Sequence, residues 1–250
     1  MSRNRKISLY EQVEKKILDE ATHTDIYRLK PEDELALDYG VSRTTIREAL
    51  NSLQRDKYLM KRKGKGNYLL KSVINTQLRF DMRFDFASMI DELNKVPSVV
   101  TNLLGSFPPS DKFKQYCPDF ANTESVQRIT WTFYADELPA VHCYFELPQS
   151  LCISMPMNNT IIGKQKILAI NSYYDIARQD ITHYIHTLCA KINDEVTAKF
   201  SLPQGTPLVN FEQISYNADD IPFSFTDIYF NPEIMNLKYV LDYDRTYRRI

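Results

Sequence analysis

At 250 residues the chain has room for one large domain or two smaller ones, and its 43% hydrophobic and 25% charged content is ordinary for a globular protein. No apolar run reaches the length of about 18 residues that a membrane span needs; the start, MSRNRKISLY, lacks the apolar stretch of a secretory leader, and Cys117, Cys143, Cys152 and Cys189 form no CxxC pair, as in a reduced, cytoplasmic chain. The net charge of −1 hides an asymmetry, net +5 over residues 1–71 and net −6 over the rest, which points a basic head, and not the acidic body, at a polyanion.

Within the head, SLYEQVEKKILDEA places Leu9, Val13, Ile17 and Leu18 at helical spacing behind Ser8 as N-cap. LKPEDELALDYG follows. Pro31 suits a first turn, Glu32, Asp33 and Glu34 suit the positive end of a helix, and Gly40 suits its stop. Ser42 caps a third helix running to about Asp56, whose apolar face is Val41, Ile46, Ala49 and Leu50 and whose other face is Arg43, Thr44, Arg47 and Glu48. YLMKRKGKGNYLL then reads as a β-hairpin with a cationic, glycine-bearing turn. Helix, turn, helix and basic hairpin in this order predict a winged helix-turn-helix over residues 1–71.

Such a third helix enters the major groove by its N-terminal end. There Ser42 and backbone N–H groups can meet phosphate, Thr44 and Thr45 can touch phosphate or a thymine methyl, and Arg43 and Arg47, one turn apart, can read guanine. Lys61, Lys63 and Lys65 of the wing can meet further phosphates, and Gly66 allows close backbone approach. Arg43 and Arg47 repel each other unless an anion relieves them.

The run PEDELALDYGVSRTTIREALNSLQRDKYLMKRKGKGNYLL resembles the DNA-binding domain of GntR-type bacterial repressors, which carry an ELA-x-x-x-GVSR-x-T-x-R-x-AL-x-x-L signature closed by a G-x-G wing. The resemblance implies that Arg43, Thr45, Arg47 and Gly66 contact a double-stranded operator. Asp33 departs from it, standing where many members have a basic residue that reaches DNA.

Residues 72–84 read as a linker. The body, 85–250, alternates short helices and strands: a helix behind Asp85, a strand PSVVTNLLGSF, a helix from Ser110, a strand pair turning at Asp136–Leu138, a strand DITHYIHTLCAKI, a helix behind Asn193, and a strand pair turning at Asp219–Asp220. Residues 149–180 give no clear reading. Antiparallel strands with helices to one side make an α+β domain. YADELPAV, FSLPQGTPL and IPFSFTDIYF resemble, in order and spacing, the UTRA effector domain of the HutC-type branch of the same family. That resemblance implies a sheet of the chorismate lyase type, a small-molecule effector bound between sheet and loops, and a homodimer.

Family effectors that are sugar phosphates are held by strand arginines and a helix N-terminus. Here Trp131, Phe133 and Gln213 stand at positions that often hold arginine, and Asp85 would repel a phosphate. The expected effector is therefore sugar-like or otherwise unphosphorylated, with Arg128 as the remaining strand arginine, Trp131, Tyr134, Tyr144 and Tyr229 stacking on it, and Ser224, Thr226 and Asp227 bonding its hydroxyls. The alternatives are a sugar-phosphate effector, or a DNA-binding architectural protein whose body only dimerises. His183 and His186, three apart on a predicted strand, face opposite ways, and no nucleophile–base pair stands out. The reading is of a regulator and not an enzyme, with no cofactor or metal.

Overall fold

The computed structural model describes residues 7–24, 27–82, 85–120, 122, 125–152, 159–164 and 181–241. They form two compact units, Met1–Phe84 with Leu237–Ile250, and Asp85–Asn236.

In the first unit, Ser8 caps α1 (Leu9–His23) and Glu11 completes a capping box. Helix α2 (Glu32–Tyr39) stops at Gly40, which adopts the left-handed φ of 63° and donates its N–H back to the last carbonyls of the helix. The turn ends at Ser42, whose hydroxyl accepts from Thr45 N and starts α3 (Arg43–Arg55). Ile46, Ala49, Leu50 and Leu53 of α3 are buried with Val13, Ile17 and Ala21 of α1 and Leu35 of α2. The wing pairs β1 (Leu59–Arg62) with β2 (Gly66–Leu69), with Leu59 and Leu69 opposite one another and buried. Backbone bonds from Leu29 N to Asn67 O and from Leu69 N to Tyr27 O lay the segment before α2 along β2. This is the winged helix-turn-helix that the sequence predicts.

The segment expected as a linker is structured. It forms a one-turn helix, α4 (Lys71–Ile74), and residues 78–82 then dock on the head. Leu78 is buried at a φ of 57°. Arg79, 5% exposed, bonds the carboxylate of Asp81 (2.8 Å) and the carbonyl of Asp56 (3.1 Å), where α3 ends. Its guanidinium also lies over the ring of Tyr58, 5.0 Å from the centroid. Lys57 bonds Asp81 and the carbonyl of Val240. Arg79 bridges Lys238 in parallel, and Phe80 stacks on Tyr239. The body expected to run to residue 250 therefore gives residues 237–241 to the head unit. Long-range pairing of this kind leaves no periodic trace in the sequence.

The second unit is built on one antiparallel sheet, in the order β6-β3-β4-β5-β9-β8-β7 among the described residues. Its strands are β3 (Pro97–Phe107), β4 (Val126–Ala135), β5 (Leu138–Pro148), β6 (Asn159–Ile162), β7 (His183–Ile192), β8 (Pro207–Tyr216) and β9 (Pro222–Phe230). Among the described residues three short helices accompany it: α5 (Phe86–Glu92), α6 (Asp111–Tyr116) and α7 (Asp194–Lys199). Asp85, Ser110 and Asn193 cap them, as the sequence predicts. The β4–β5 turn places Asp136 at a φ of 57°, where its carboxylate accepts from Val96 N (2.9 Å). Of the unread stretch 149–180, residues 159–162 supply strand β6 at one edge, and residues 165–180 lie outside the described residues.

Candidate nucleic-acid interface and effector face

Ser42, Arg43, Thr44 and Arg47 are exposed at the N-terminal end of α3, and Thr45 is half-buried against the cap. The apolar positions of the same helix are inside, so the reading edge predicted from sequence is the solvent-facing edge. Lys61, Lys63, Lys65 and Gly66 are exposed on the wing. Lys61 bonds Asn51 of α3 (2.6 Å), and Arg62 folds over Tyr68, 4.7 Å from its ring centroid. Gly66 has a φ of 103°, a conformation that favours glycine.

The anion that relieves Arg43 and Arg47 is in the chain itself. Arg43 Nε lies 2.6 Å from Asp33 Oδ1, and Arg47 bonds Glu32 Oε2 through Nε (3.3 Å) and Nη2 (3.0 Å). The helix-dipole role of these acids was legible in the sequence; their pairing across the turn was not, because it depends on how α2 and α3 cross.

In the second unit, strand register decides which expected effector residues can act together. Across β4 and β5, Arg128 faces Glu146, Thr130 faces Tyr144, and Thr132 faces His142. Tyr144 then faces Asp227 and His142 faces Tyr229 on β9, and these two face Glu212 and Asn210 on β8. Because side chains alternate, Arg128, Tyr144, Asp227 and Tyr229 share one sheet face. Trp131, Ser224 and Thr226 share the other. Tyr134 is half-buried and lies beyond a register shift in the β4–β5 pair. The eight residues thus do not form one site.

The first face is a polar network in which His142 Nε2, Tyr144 Oη and Asn210 Oδ1 are buried without a hydrogen-bond partner. Arg128 is bonded to Glu146 and to the carbonyl of Pro108, both at 3.0 Å. Asp227 accepts from Lys191 (2.8 Å), Asn210 (2.7 Å) and Tyr229 (2.9 Å). Glu212 pairs with Lys191 (2.7 Å), with Lys112 of α6 and with Tyr116 (2.6 Å). Burial pushes the Glu212 carboxyl up, but Lys112, Lys191 and Tyr116 overcome this and bring it down to about 2. Nearby, burial pushes His142 down to about 4 and keeps it neutral; its Nδ1 lies 2.8 Å from Thr132 Oγ1. Helix α7 closes this region, with Val196 and Phe200 against Leu208 and Tyr229. Sequence reading missed Lys112 and Tyr116 of α6 and Lys191, Asn210 and Glu212, the last three marked in the sequence by charge or amide on strands with many apolar residues.

The second face lies under α5 and is aromatic. Ala87 and Val99 are buried with Trp131, Phe133 and Ile161 packed against them. Phe86 meets Phe133 at 5.1 Å and Phe230 at 5.8 Å, and Trp131 meets Phe145 at 5.1 Å. At the start of α5 the Asp85 carboxylate accepts from Ala87 N (3.2 Å) and from the Ser88 hydroxyl. Ser224 is bonded to Ser215 (2.7 Å), whereas the hydroxyl of Thr226 is buried without a hydrogen-bond partner. Among the described residues, no group of three or more His, Cys, Asp or Glu side chains is placed to hold a metal ion, and no helix is long and apolar enough to cross a membrane.

The family model for bacterial regulatory proteins of the gntR family matches residues 8–69, and that for the UTRA domain matches residues 118–236. Among solved structures, the possible transcriptional regulator YydK from Bacillus subtilis subsp. subtilis str. 168 is 16% identical, with 93% of this chain and 98% of that one covered and a TM-score of 0.67. PhnF from Mycobacterium smegmatis is 15% identical, with 92% and 99% covered and a TM-score of 0.51. Likenesses at this identity show the fold. Among curated proteins no relative matches. The two family matches together take in well over half of the chain, one on each unit, and the chain belongs to the gntR family of bacterial transcription regulators, with a UTRA effector-binding domain behind its winged helix-turn-helix.

Proposed function

We propose that the protein is a repressor that binds a palindromic operator as a homodimer and changes its DNA affinity when a small unphosphorylated metabolite binds the second domain. The observation that carries the DNA half is the exposed Ser42–Arg47 edge of α3 beside the Lys63–Lys65 tip of the wing. Ser42, Thr44 and Thr45 position the helix on phosphates, Arg43 and Arg47 read base edges, and Lys61, Lys63, Lys65 and Gly66 hold the flanking backbone. Support for pairing comes from β7, an edge strand of the sheet among the described residues, which exposes Ile185, Leu188 and Ile192. Lys63→Ala is expected to weaken binding to every duplex alike and to lower the slope of log affinity against log salt by about 0.9. Fluorescence anisotropy across a salt series measures both.

The effector half rests on the α5 face. Trp131 and Phe133 offer ring surfaces, and Thr226 an unpaired hydroxyl. Arg128, Tyr144, Asp227 and Tyr229 belong to the opposite face and are proposed as scaffold rather than as contacts. The Asp85 carboxylate takes the bonds that a phosphate would seek at the start of α5. Trp131 is the sole tryptophan, so intrinsic fluorescence reports on this face directly. Titration with sugars and their phosphate esters is expected to quench or shift that emission with the unphosphorylated form binding at least as tightly. Tighter binding of the phosphate ester would overturn the effector class.

A further inference from the structure

A basic residue just ahead of the ELA run would add a cation to the DNA-facing side of α2. This chain has Asp33 there instead, and Asp33 contacts the arginine at the start of the recognition helix. We propose that Asp33 is a specificity-determining residue, which acts through Arg43 to suppress sequence-independent binding and to aim Arg43 at a guanine edge. The inference rests on the reading of α3 as the recognition helix and goes beyond it.

The geometry supports the proposal in three ways. First, the contact uses Arg43 Nε, 2.6 Å from Asp33 Oδ1. An ion pair at the Nε end leaves the terminal nitrogens of the guanidinium to bond O6 and N7 of guanine. Second, both side chains are about 60% exposed (60% and 61%). An exposed ion pair adds little to folding stability and is screened by salt, so stability does not account for it. Third, the pair carries no net charge. Arg43 sheltered by Asp33 gains little from an approaching phosphate, and Asp33 itself repels it. A correctly placed guanine offers two acceptors and no full negative charge, so it competes with far less penalty.

On the next turn of α3 the Glu32 carboxylate holds Arg47, here through both Nε and Nη2. Both reading arginines are therefore partnered before DNA arrives. Affinity for DNA of arbitrary sequence then falls mainly on the wing lysines and the cap of α3, while discrimination falls on the two arginines. Such a division lowers the background of non-specific sites against which a regulator must find its operator.

The test uses the full chain and two duplexes, a sequence enriched from a random duplex library by the wild type and an unrelated duplex of equal length. Asp33→Asn removes the charge with little change in shape. It is expected to raise affinity for the unrelated duplex by about three- to tenfold and to steepen its salt slope by about 0.9, one more phosphate neutralised. Affinity for the enriched sequence should change little, so the ratio of the two affinities falls by about the same three- to tenfold. In an Arg43→Ala background the same change should leave the ratio where it was, because Asp33 acts through Arg43. The proposal is overturned if Asp33→Asn leaves ratio and slope unchanged while Arg43→Ala lowers the ratio. It is also overturned if Asp33→Asn lowers the ratio equally without Arg43. Failure of the underlying reading looks different: the wild type enriches no sequence, or Arg43→Ala alters neither affinity nor ratio.

Discussion

Arg79→Ala is expected to destabilise the head by several kcal/mol, toward the low end of the roughly 3–5 kcal/mol cost of leaving one member of a buried ion pair behind. Arg79 and Asp81 are almost wholly buried, with side-chain exposures of 3% and 6%. Alanine removes the bonds to Asp81 and to the Asp56 carbonyl together with the cation over Tyr58. Lys57, 3.2 Å from Asp81, remains and limits the loss. Arg79→Lys should restore only part of it, because an ammonium lacks the fork that spans Asp81 and Asp56 at once. Far-UV circular dichroism in a urea series suits the measurement, since the sole tryptophan is in the other unit and does not report on the head.

The same site predicts a pH dependence. Burial pushes the Asp81 carboxyl up, but bonds from Arg79 and Lys57 bring it below its ordinary value of 3.8. A carboxyl depressed in the folded state contributes stability that is fully present above its unfolded value and is lost as pH falls through the folded one. In the wild type the contribution is therefore complete at neutral pH and declines only below about pH 4. In Arg79→Ala it is smaller throughout. Residues 78–81 precede the second unit in the chain and residues 238–240 follow it, and both stretches are fastened beside the C-terminal end of α3. An effector-driven change that pulls on either stretch meets this clamp first, so Arg79→Ala should also blunt the effector's influence on DNA affinity.

The second large effect belongs to Arg43. Arg43→Ala is expected to cost about 1–3 kcal/mol of discrimination at one base pair in each half-site, or roughly five- to 150-fold in the preference for that base. The fold should be unaffected, since Arg43 is exposed and its partner Asp33 sits in the favourable first turn of α2. Lys63→Ala makes the contrast, with affinity lost and preference kept. Competition binding against duplexes altered one base pair at a time separates the two.

The head could be read from sequence because its determinants are local. Ser8 and Ser42 are caps, Gly40 takes the left-handed turn, and α3 buries Ile46, Ala49 and Leu50 as their spacing requires. The strands and caps of the body were legible for the same reason. Grouping the effector residues was harder. Parity along β9 separates Ser224 and Thr226 from Asp227 and Tyr229, and along β4 it separates Arg128 from Trp131. Which face of β5 meets which face of β4 depends on register, and that register shifts between Phe133 and Tyr134. The Lys191–Glu212–Lys112 network and the Arg79 clamp join residues far apart in the chain, so hydrophobic period and motif carry no sign of them.

In the proposed complex two copies of this chain read two half-sites through the N-terminal edge of α3. Selection from a random duplex library with the full-length wild type tests it most directly. The expected result is enrichment of an inverted repeat whose half-sites are centred about one helical turn apart or a little more, each holding a guanine whose preference disappears in Arg43→Ala. Enrichment of a single unrepeated site, or of the same guanine in Arg43→Ala as in the wild type, would contradict it.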